Sequence, residues 1–374
     1  MKSIKNLWIS LVLGLLIGLL ATGFFKVLAS IQIFHQQNSY YIYFLPLIWI
    51  LLKFIRHQTL FFPLNVAQTY QSDEVSAKHW SKWGLPFNFI GASLSHFAGA
   101  SVGREGAVVV FATELAQIFK LSLQYFKPIA MSAGFAIAMD NPWIALVFIF
   151  EMFSTRIDQK IFSVIAAWIG CLILKTFQVP PLIPTIEVSG QISFWDLLVF
   201  VFVLAASVGY LSRVYKWIHR RVKILSQPQK KYWAFLCVII LTSVMCWPDF
   251  KSMHSLSLEA LTQATQGHVT AQFFFIKFLL TVVCVSIGFW GGDFVPSLVL
   301  GNVWGVFIAQ KLKIPDIFGL MFGCYSFFLG FNLLKWTAYF LTIAVFGTQH
   351  FMMLYFYMSL VQSFAGPVSL YKTE

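Results

Sequence analysis

The sequence predicts an all-α polytopic membrane protein whose two halves form an inverted-topology repeat with tilted and broken helices. Of its 374 residues, 59% are hydrophobic and only 11% are charged, whereas about a quarter of the residues in a soluble globular domain carry charge. Several apolar stretches approach the ~20 residues that a helix needs to cross the hydrocarbon core. Glycine and proline interrupt other stretches at corresponding places in both halves, which is typical of inverted-repeat transporters.

The apolar stretches that reach or approach this length are residues 7–25, 194–211, 233–247, 273–289 and 351–364. We interpret the first as a membrane helix and not a secretory signal, because no small-residue cleavage site followed by a soluble domain comes after it. Nothing alternates as barrel strands do, and the bilayer leaves no water for an open backbone, so we expect helices almost throughout. The polar stretch 67–82 is expected to be a loop or an interfacial segment.

The net charge of +12 lies between the apolar stretches. The segment 213–231 is rich in lysine and arginine and has no acid, so the positive-inside rule predicts a cytoplasmic loop that meets anionic lipid head groups. This interpretation suits an apolar chain better than nucleic-acid binding. We therefore divide the chain into a first membrane half (1–210), a basic cytoplasmic loop (211–232) and a second membrane half (233–374), with no separate soluble domain.

The two halves carry similar motifs in the same order. In the first half, Gly103-Arg104-Glu105-Gly106 precedes a glycine-containing stretch, 131–142, and then an apolar run. In the second half, Gly291-Gly292-Asp293-Phe294-Val295-Pro296 precedes the stretch 321–332 and another apolar run. Two copies of one architectural unit explain this order better than chance similarity among membrane helices. An inverted repeat of this kind places its substrate near the midplane between the copies.

The first motif places a charged pair inside apolar sequence, which usually marks a functional path. If a helix begins at Glu105 or Gly106, its free amide groups and positive dipole end form an anion site. A carboxylate at that site would compete with a mobile anion and take up a proton when displaced. The structural alternative is that Glu105 caps the helix and pairs with Arg104. Asp293 near a second helix start, followed by a proline whose missing amide is harmless there, favours the anion site.

Three segments resemble, in order, the signature regions of the CLC family of chloride channels and proton-coupled anion antiporters: 103–106, 136–151 and 291–296. The small bacterial branch that includes fluoride/proton antiporters resembles this chain further at 96–102, 346–350 and 364–371. The resemblance runs from about residue 95 to residue 371. It implies a homodimer with one pore per subunit that carries a halide, fluoride or chloride, with or without coupled protons.

By position, Glu105 matches the family's gating glutamate, and Tyr371 matches the tyrosine that contacts the central anion. The amides around Phe294 and Val295 match the contribution of the second half. The usual glycine-serine-glycine-isoleucine-proline loop is absent, and Phe62-Pro63-Leu64-Asn65 falls in its place, so Asn65 is included as an anion-binding residue. The remaining expected anion-binding residues belong to the first motif: Gly103, Arg104 and Gly106.

Two departures concern the proton path. The inner proton glutamate of the chloride antiporters would fall at Met152, and a rough alignment places the membrane glutamate of the fluoride branch at Ala344; neither side chain carries a proton. Glu151 is either a relay residue or a buried structural carboxylate. The residues considered for a proton path or for ion pairing are Glu151, Asp140, Asp293, Asn332 and Lys335.

Three other polar residues lie in apolar sequence. Lys277 is expected to extend its long side chain to the membrane interface. Lys335 is expected to hold an anion or a carboxylate such as that of Glu105 or Asp293. His96 is interpreted as a satisfied hydrogen-bonding group and not as a proton carrier.

The preferred hypothesis is halide transport across a bacterial inner membrane, with Glu105 as the outer gate. Loss of the usual proton residues leaves an uncoupled anion channel, or a diverged non-transporting membrane protein, as alternatives. A cation transporter is disfavoured because positive helix ends repel cations. The five cysteines have no paired spacing, so we expect packing residues and no metal or cofactor; no nucleophile and base pattern indicates an enzyme.

Overall fold

The computed structural model describes residues 2–59, 65–72, 83–225 and 231–371. Its α-helices are, in chain order, α1 (Lys2–Gln37), α2 (Leu45–Thr59), α3 (Val66–Gln71), α4 (Gly84–Phe97), α5 (Glu105–Ile118), α6 (Leu123–Ala138), α7 (Ile144–Met152), α8 (Ile157–Thr176), α9 (Phe194–Leu225), α10 (Lys231–Met245), α11 (Leu258–Thr265), α12 (Ala271–Ile287), α13 (Phe294–Lys311), α14 (Asp316–Gly323), α15 (Ser326–Asn332), α16 (Lys335–Phe346) and α17 (Phe351–Ala365). Short 3-10 helices cover Tyr40–Phe44 and Pro248–Met253. The predicted all-α fold is confirmed.

Within the described residues, α1, α8 and α9 are long and apolar enough to cross a membrane unaided. Helices α10, α12 and α17 are apolar but shorter. The helices that carry the glycine motifs are interrupted, as expected: α6 ends at Ala138, and α7 begins at Ile144 after a turn. Broken helices are tolerated at membrane depth only where other protein surrounds the interrupted backbone.

The same order of elements follows each glycine motif. Helix α5 begins two residues after Gly103, and α6 and α7 follow it. Helix α13 begins two residues after Gly292, and α14 with α15 and then α16 follow it. Helices α13 and α14 pack closely, since a Cβ added at Gly301 would lie 2.0 Å from the Gly323 carbonyl oxygen. Small residues at such crossings let membrane helices approach each other.

The basic segment 211–232 is not the loop that we expected. Helix α9 continues to Leu225, and α10 begins at Lys231. The helix persists because one of its faces, which includes Tyr215, is buried against the protein. Most of the polar stretch 67–82 lies outside the described residues, although its start belongs to α3.

Lys216, one of the cations of this segment, lies inside the protein and not at the lipid head groups. Its ammonium group donates hydrogen bonds to the carbonyls of Gly330, Ala365 and Val368 at 3.0, 2.9 and 2.9 Å. Gly330 lies in the last turn of α15 and Ala365 ends α17, where carbonyls lack partners within their own helix. Lys216 therefore joins α9 to the chain segment that leads to Tyr371.

We expect Lys216→Met to destabilise the protein by about 2 kcal/mol, because the substitution leaves buried carbonyls without a donor. The measurement is the unfolding temperature of purified protein in detergent. Arg220→Met, which removes an exposed cation from the same helix, should leave that temperature unchanged. Equal unfolding temperatures for both variants would show that Lys216 does not anchor this segment.

Candidate functional site

The two glycine motifs meet in the interior of the protein. The Gly103 N–H donates to the Gly292 carbonyl with an N···O distance of 2.5 Å, and the Gly292 N–H donates to the Gly103 carbonyl at 2.9 Å. Because α5 and α13 each begin two residues later, this bridge holds two helix N-termini next to each other. Each N-terminus has amide groups without a partner inside its helix and the positive end of a helix dipole.

Glycine suits this contact because an added Cβ would be crowded at each position. A Cβ at Gly103 would lie 3.1 Å from the Val295 nitrogen and 3.2 Å from the Glu105 Oε2 atom, and one at Gly106 would lie 2.9 Å from the Gly292 Cα. Gly291 has φ +148°, which L side chains rarely adopt. The same distances show that the amide of Val295 in α13 and the carboxylate of α5 approach one point.

The Glu105 side chain is completely buried at the start of α5. Its Oε1 accepts a hydrogen bond from Arg104 Nε at 3.2 Å, and the Arg104 guanidinium lies over the Phe25 ring at 4.1 Å. Within the described part of the chain, Glu105 Oε2 has no hydrogen-bond partner. The Glu105–Arg104 ion pair that the capping alternative predicts is therefore present. The second carboxylate oxygen of Glu105 nevertheless has no partner among the described residues, and it lies beside the two helix N-termini.

Asp293 and Tyr371 lie together on the other side of the bridge. The Tyr371 hydroxyl approaches Asp293 Oδ1 at 3.5 Å, and the two residues are 7% and 5% exposed. Ser369 fixes the chain here, since its hydroxyl donates to the Asn332 carbonyl at 2.8 Å and accepts from the Tyr371 N–H at 3.2 Å. The structure thus gathers residues from both motifs and from the end of the described chain.

A cavity of about 150 Å³ reaches this pair. Its lining includes Gly291, Gly292, Asp293 and Tyr371. Glu105 is not among its lining residues, so the cavity does not reach the Glu105 carboxylate. The other polar lining residues include three cations, Lys53, Arg56 and Lys223, together with Asn65, Gln68, His219 and Ser286.

Asn65 lies on the cavity wall, where the sequence placed an anion-binding residue. Its side-chain oxygen accepts a hydrogen bond from the Gln68 N–H at 2.9 Å and so caps α3. An N-cap of this kind satisfies one of the free amides at a helix start. The residues 62–64 that precede it lie outside the described residues.

Glu151 is bound to the start of α16. Its carboxylate accepts hydrogen bonds from the N–H groups of Trp336 and Thr337 at 2.9 and 2.8 Å and from the Thr337 hydroxyl at 2.8 Å. A carboxylate at a helix N-terminus is stabilised by the amides and by the dipole. The structure therefore favours the interpretation of Glu151 as a structural carboxylate over its interpretation as a proton-relay residue.

Our expectation for Lys335 is wrong, because its ammonium contacts neither Glu105 nor Asp293. It is half-buried, donates to the Tyr355 hydroxyl at 3.2 Å and lies 4.6 Å from the Tyr355 ring centroid. Cation–π attraction explains its place better than an anion partner.

Our expectation for Lys277 is also wrong, because the side chain does not extend to the membrane interface. It is completely buried. Its ammonium donates to the Met253 and Ser255 carbonyls at 2.9 and 3.3 Å and to the Ser257 hydroxyl at 2.5 Å. These three acceptors satisfy the group inside the protein, so no interface is needed.

The other residues considered for proton transfer are scattered. Asp140 lies in the turn between α6 and α7, and neither its Oδ1 nor the side-chain polar atoms of the buried Asn332 have a partner among the residues that the structure describes. His96 Nδ1 bonds to the Ser255 hydroxyl at 2.9 Å, whereas its Nε2 has no partner within the described chain. Met152 is buried and Ala344 is exposed on the subunit surface.

Sequence reasoning missed three polar residues. Glu114 in α5 is buried and accepts from the Asn88 side chain at 2.8 Å; an acid in an apolar run was a usable signal for it. Tyr215 and His219 in α9 were missed because their segment was assigned to a loop. Their burial becomes apparent only when the segment is known to be helical.

Comparisons with known proteins identify the family of this chain and its fold. A family model described as "voltage gated chloride channel" matches residues 65–365. A chloride/fluoride channel protein of Pseudomonas syringae pv. tomato is 25% identical over 260 residues, which cover 64% of this chain and 56% of the relative, so the match spans little more than half of that protein.

Solved structures share the fold at low sequence identity. A CLC-type fluoride/proton antiporter has a TM-score of 0.83 at 19% identity, with 98% of this chain and 97% of that chain covered. A slow cyanobacterial Cl⁻/H⁺ antiporter has a TM-score of 0.78 at 16% identity, with 96% and 94% covered. On the extent of the family match, the chain belongs to the voltage-gated chloride channel (CLC) family of integral membrane anion transporters.

Proposed function

We propose that this protein carries a halide, fluoride or chloride, across a bacterial inner membrane, as a homodimer with one pore per subunit and Glu105 as the outer gate. The observation that carries the proposal is the Gly103–Gly292 bridge, which sets two helix N-termini beside the buried Glu105 carboxylate. The names of the similar proteins, a chloride/fluoride channel and fluoride/proton and chloride/proton antiporters, support a halide.

Glu105 acts as a gate because it competes with the anion for the same positive helix ends. An ionised carboxylate buried with an unsatisfied oxygen is costly, so protonation favours its departure and an arriving anion replaces it. The cationic side of the inner cavity, with Lys53, Arg56 and Lys223, raises the local concentration of anions. A cation would be repelled at each of these places.

Among the three acids considered for proton transfer, Asp293 is best placed. Glu151 is held by α16, and Asp140 lies at the turn after α6. Asp293 faces the inner cavity, contacts Tyr371, and lies across the glycine bridge from Glu105. We therefore propose that Asp293 exchanges protons with the inner side while Glu105 exchanges them with the outer side.

An uncoupled anion channel is the second candidate function. Met152 and Ala344 carry no proton where antiporters are expected to have an acid, and the similar Pseudomonas protein is named a channel. Purified protein in liposomes separates the two, with halide efflux and internal pH followed together under imposed gradients. Halide efflux without proton movement would support the uncoupled channel and contradict the antiporter. No anion efflux from correctly inserted protein would contradict transport altogether.

We expect Glu105→Gln to sustain halide efflux while proton movement falls by at least about tenfold, because a neutral amide cannot deliver a proton. The halide efflux of this variant should no longer vary with external pH. Glu114→Gln changes a buried glutamate of the same helix away from the bridge and serves as the control. If both variants transport as the parent does, Glu105 is not the gate.

Asp293→Asn should lower proton movement by at least about tenfold and leave the response to external pH in place. The physical reason is that the amide keeps the size and polarity of the side chain but binds no exchangeable proton at neutral pH. Asp316→Asn, at the start of α14, is the matched control. A variant that keeps full proton flux would exclude Asp293 from the path, whatever happens to the halide.

A further inference from the structure

The guanidinium group of Arg104 contacts the proposed gate on one side and α1 on the other. Its Nε donates to Glu105 Oε1 at 3.2 Å, and its Cζ lies 4.1 Å from the ring centroid of Phe25. An arginine that stacks on a ring with its flat face keeps its N–H edge free for a carboxylate. The ring therefore determines where the edge that binds Glu105 lies.

All three side chains of this contact lie inside the protein. Glu105 is completely buried, and Phe25 and Arg104 are 5% and 9% exposed. Cation–π attraction is stronger at a desolvated site than at the surface. A buried ion pair is favourable only when its geometry is good. The position of the Phe25 ring thus affects how firmly Arg104 retains the Glu105 carboxylate.

Phe25 lies on a helix that is itself fixed. Helix α1 packs closely on α8, since a Cβ added at Gly18 would lie 2.8 Å from the Gly170 Cα. Phe25 also lies outside residues 65–365, which the family model matches. The contact with Arg104 is therefore a feature of α1 that the family match does not include.

We propose that Phe25 is a positioning residue for the gate: it fixes the Arg104 guanidinium where that group retains the ionised Glu105 carboxylate beside the two helix N-termini. The inference rests on the gating role proposed for Glu105. A halide that replaces the carboxylate must break the Arg104–Glu105 contact, and the ring opposes this by keeping the guanidinium in place. Arg104 then acts on the gate and not as a ligand of the transported halide.

The charged groups around Glu105 give the direction of the pH response. Arg104 is the cation beside its carboxylate, and a fixed cation favours the ionised form of a carboxyl group. Asp293 at the start of α13 supplies no positive charge. The other titratable groups that interact with Glu105 or Arg104 are Tyr325, Tyr371 and His96. When the ring is removed and Arg104 is no longer fixed, Glu105 should accept a proton and leave at a higher external pH.

The test measures halide efflux from liposomes over a range of external pH for the parent, Phe25→Leu and Phe25→Tyr. We expect Phe25→Leu to raise the pH of half-maximal efflux by about half a unit to one unit, the size of a buried cation–π contact. At a given pH above the parent's midpoint, its efflux should be about threefold to tenfold faster. Phe25→Tyr keeps the ring and should keep the parent's midpoint.

Phe24→Leu is the matched control, because it removes the preceding buried ring of the same helix. The Phe24 ring packs on Phe89 and Phe111 with centroids 5.6 and 5.3 Å away, whereas Arg104 lies over Phe25. This control should keep the parent's midpoint.

A Glu105→Gln background shows whether the ring acts through the carboxylate. Phe25→Leu should change nothing there, since Arg104 then has no negative charge to retain. A change as large as in the parent would instead make Arg104 a ligand of the halide and overturn the proposal.

The remaining outcomes separate the positioning role from the gate. Equal shifts in Phe25→Leu and Phe24→Leu would show a loss of packing and overturn the role of the ring. An unshifted Phe25→Leu would do the same and leave the gate standing, provided that Glu105→Gln has lost its pH response. A Glu105→Gln variant that responds to pH as the parent does would refute the gate and this inference together.

Unfolding temperatures in detergent confirm that each variant is folded. If Phe25→Leu does not fold, Phe25→Met takes its place, because its flexible side chain fills more of the space of the ring. Arg104→Gln, which leaves α1 intact, should shift the midpoint in the same direction. An unshifted midpoint in that variant would overturn the proposal whatever the Phe25 variants do.

Discussion

The hydrogen-bonded contact between Gly103 and Gly292 determines most of what lies around it. Two backbone loops can approach this closely only without Cβ atoms, since a methyl group at Gly106 or Gly291 would collide with the opposite loop. The contact converts two separate helix starts into one electropositive site. It also divides the interior, with Glu105 beyond the bridge and Asp293 on the side that the cavity reaches. The local fold and the candidate anion site therefore depend on the same four backbone groups, the N–H and the carbonyl of Gly103 and of Gly292.

Polar groups in the rest of the interior fall into two kinds. Lys216 and Lys277 each have three oxygen acceptors, and Glu151 has three donors. Such groups satisfy the ends of broken helices and loops, and removing them leaves buried backbone without partners. Glu105, Glu114, Tyr215, Asn332 and Tyr357 instead keep buried polar atoms without partners among the described residues. Of these, Glu105 lies beside two helix N-termini, where an anion is favoured.

The sequence alone predicted the membrane class, the broken helices and the glycine motifs, because each depends on local composition or on residues next to one another. The assignment of Tyr371 to the anion site followed only from the family resemblance, and its contact with Asp293 was not predicted. The partners of Lys216 and Lys277 could not be predicted, since both bind carbonyls far away in the chain. Tyr215 and His219 were missed because a basic segment has the composition of a loop, whereas the buried face that keeps α9 helical is visible only in three dimensions.

The division of the interior also bears on how an ion and a proton could be linked without the usual inner glutamate. Met152 lies buried in α7, so an acid at its position would need a route of its own. Asp293 already faces the cavity with Tyr371. In the proposed coupling, an anion between Glu105 and Asp293 would place a negative charge beside both carboxylates, and a nearby negative charge favours the protonated form of a carboxyl group. The linkage proposed for this site therefore requires no separate channel through α7.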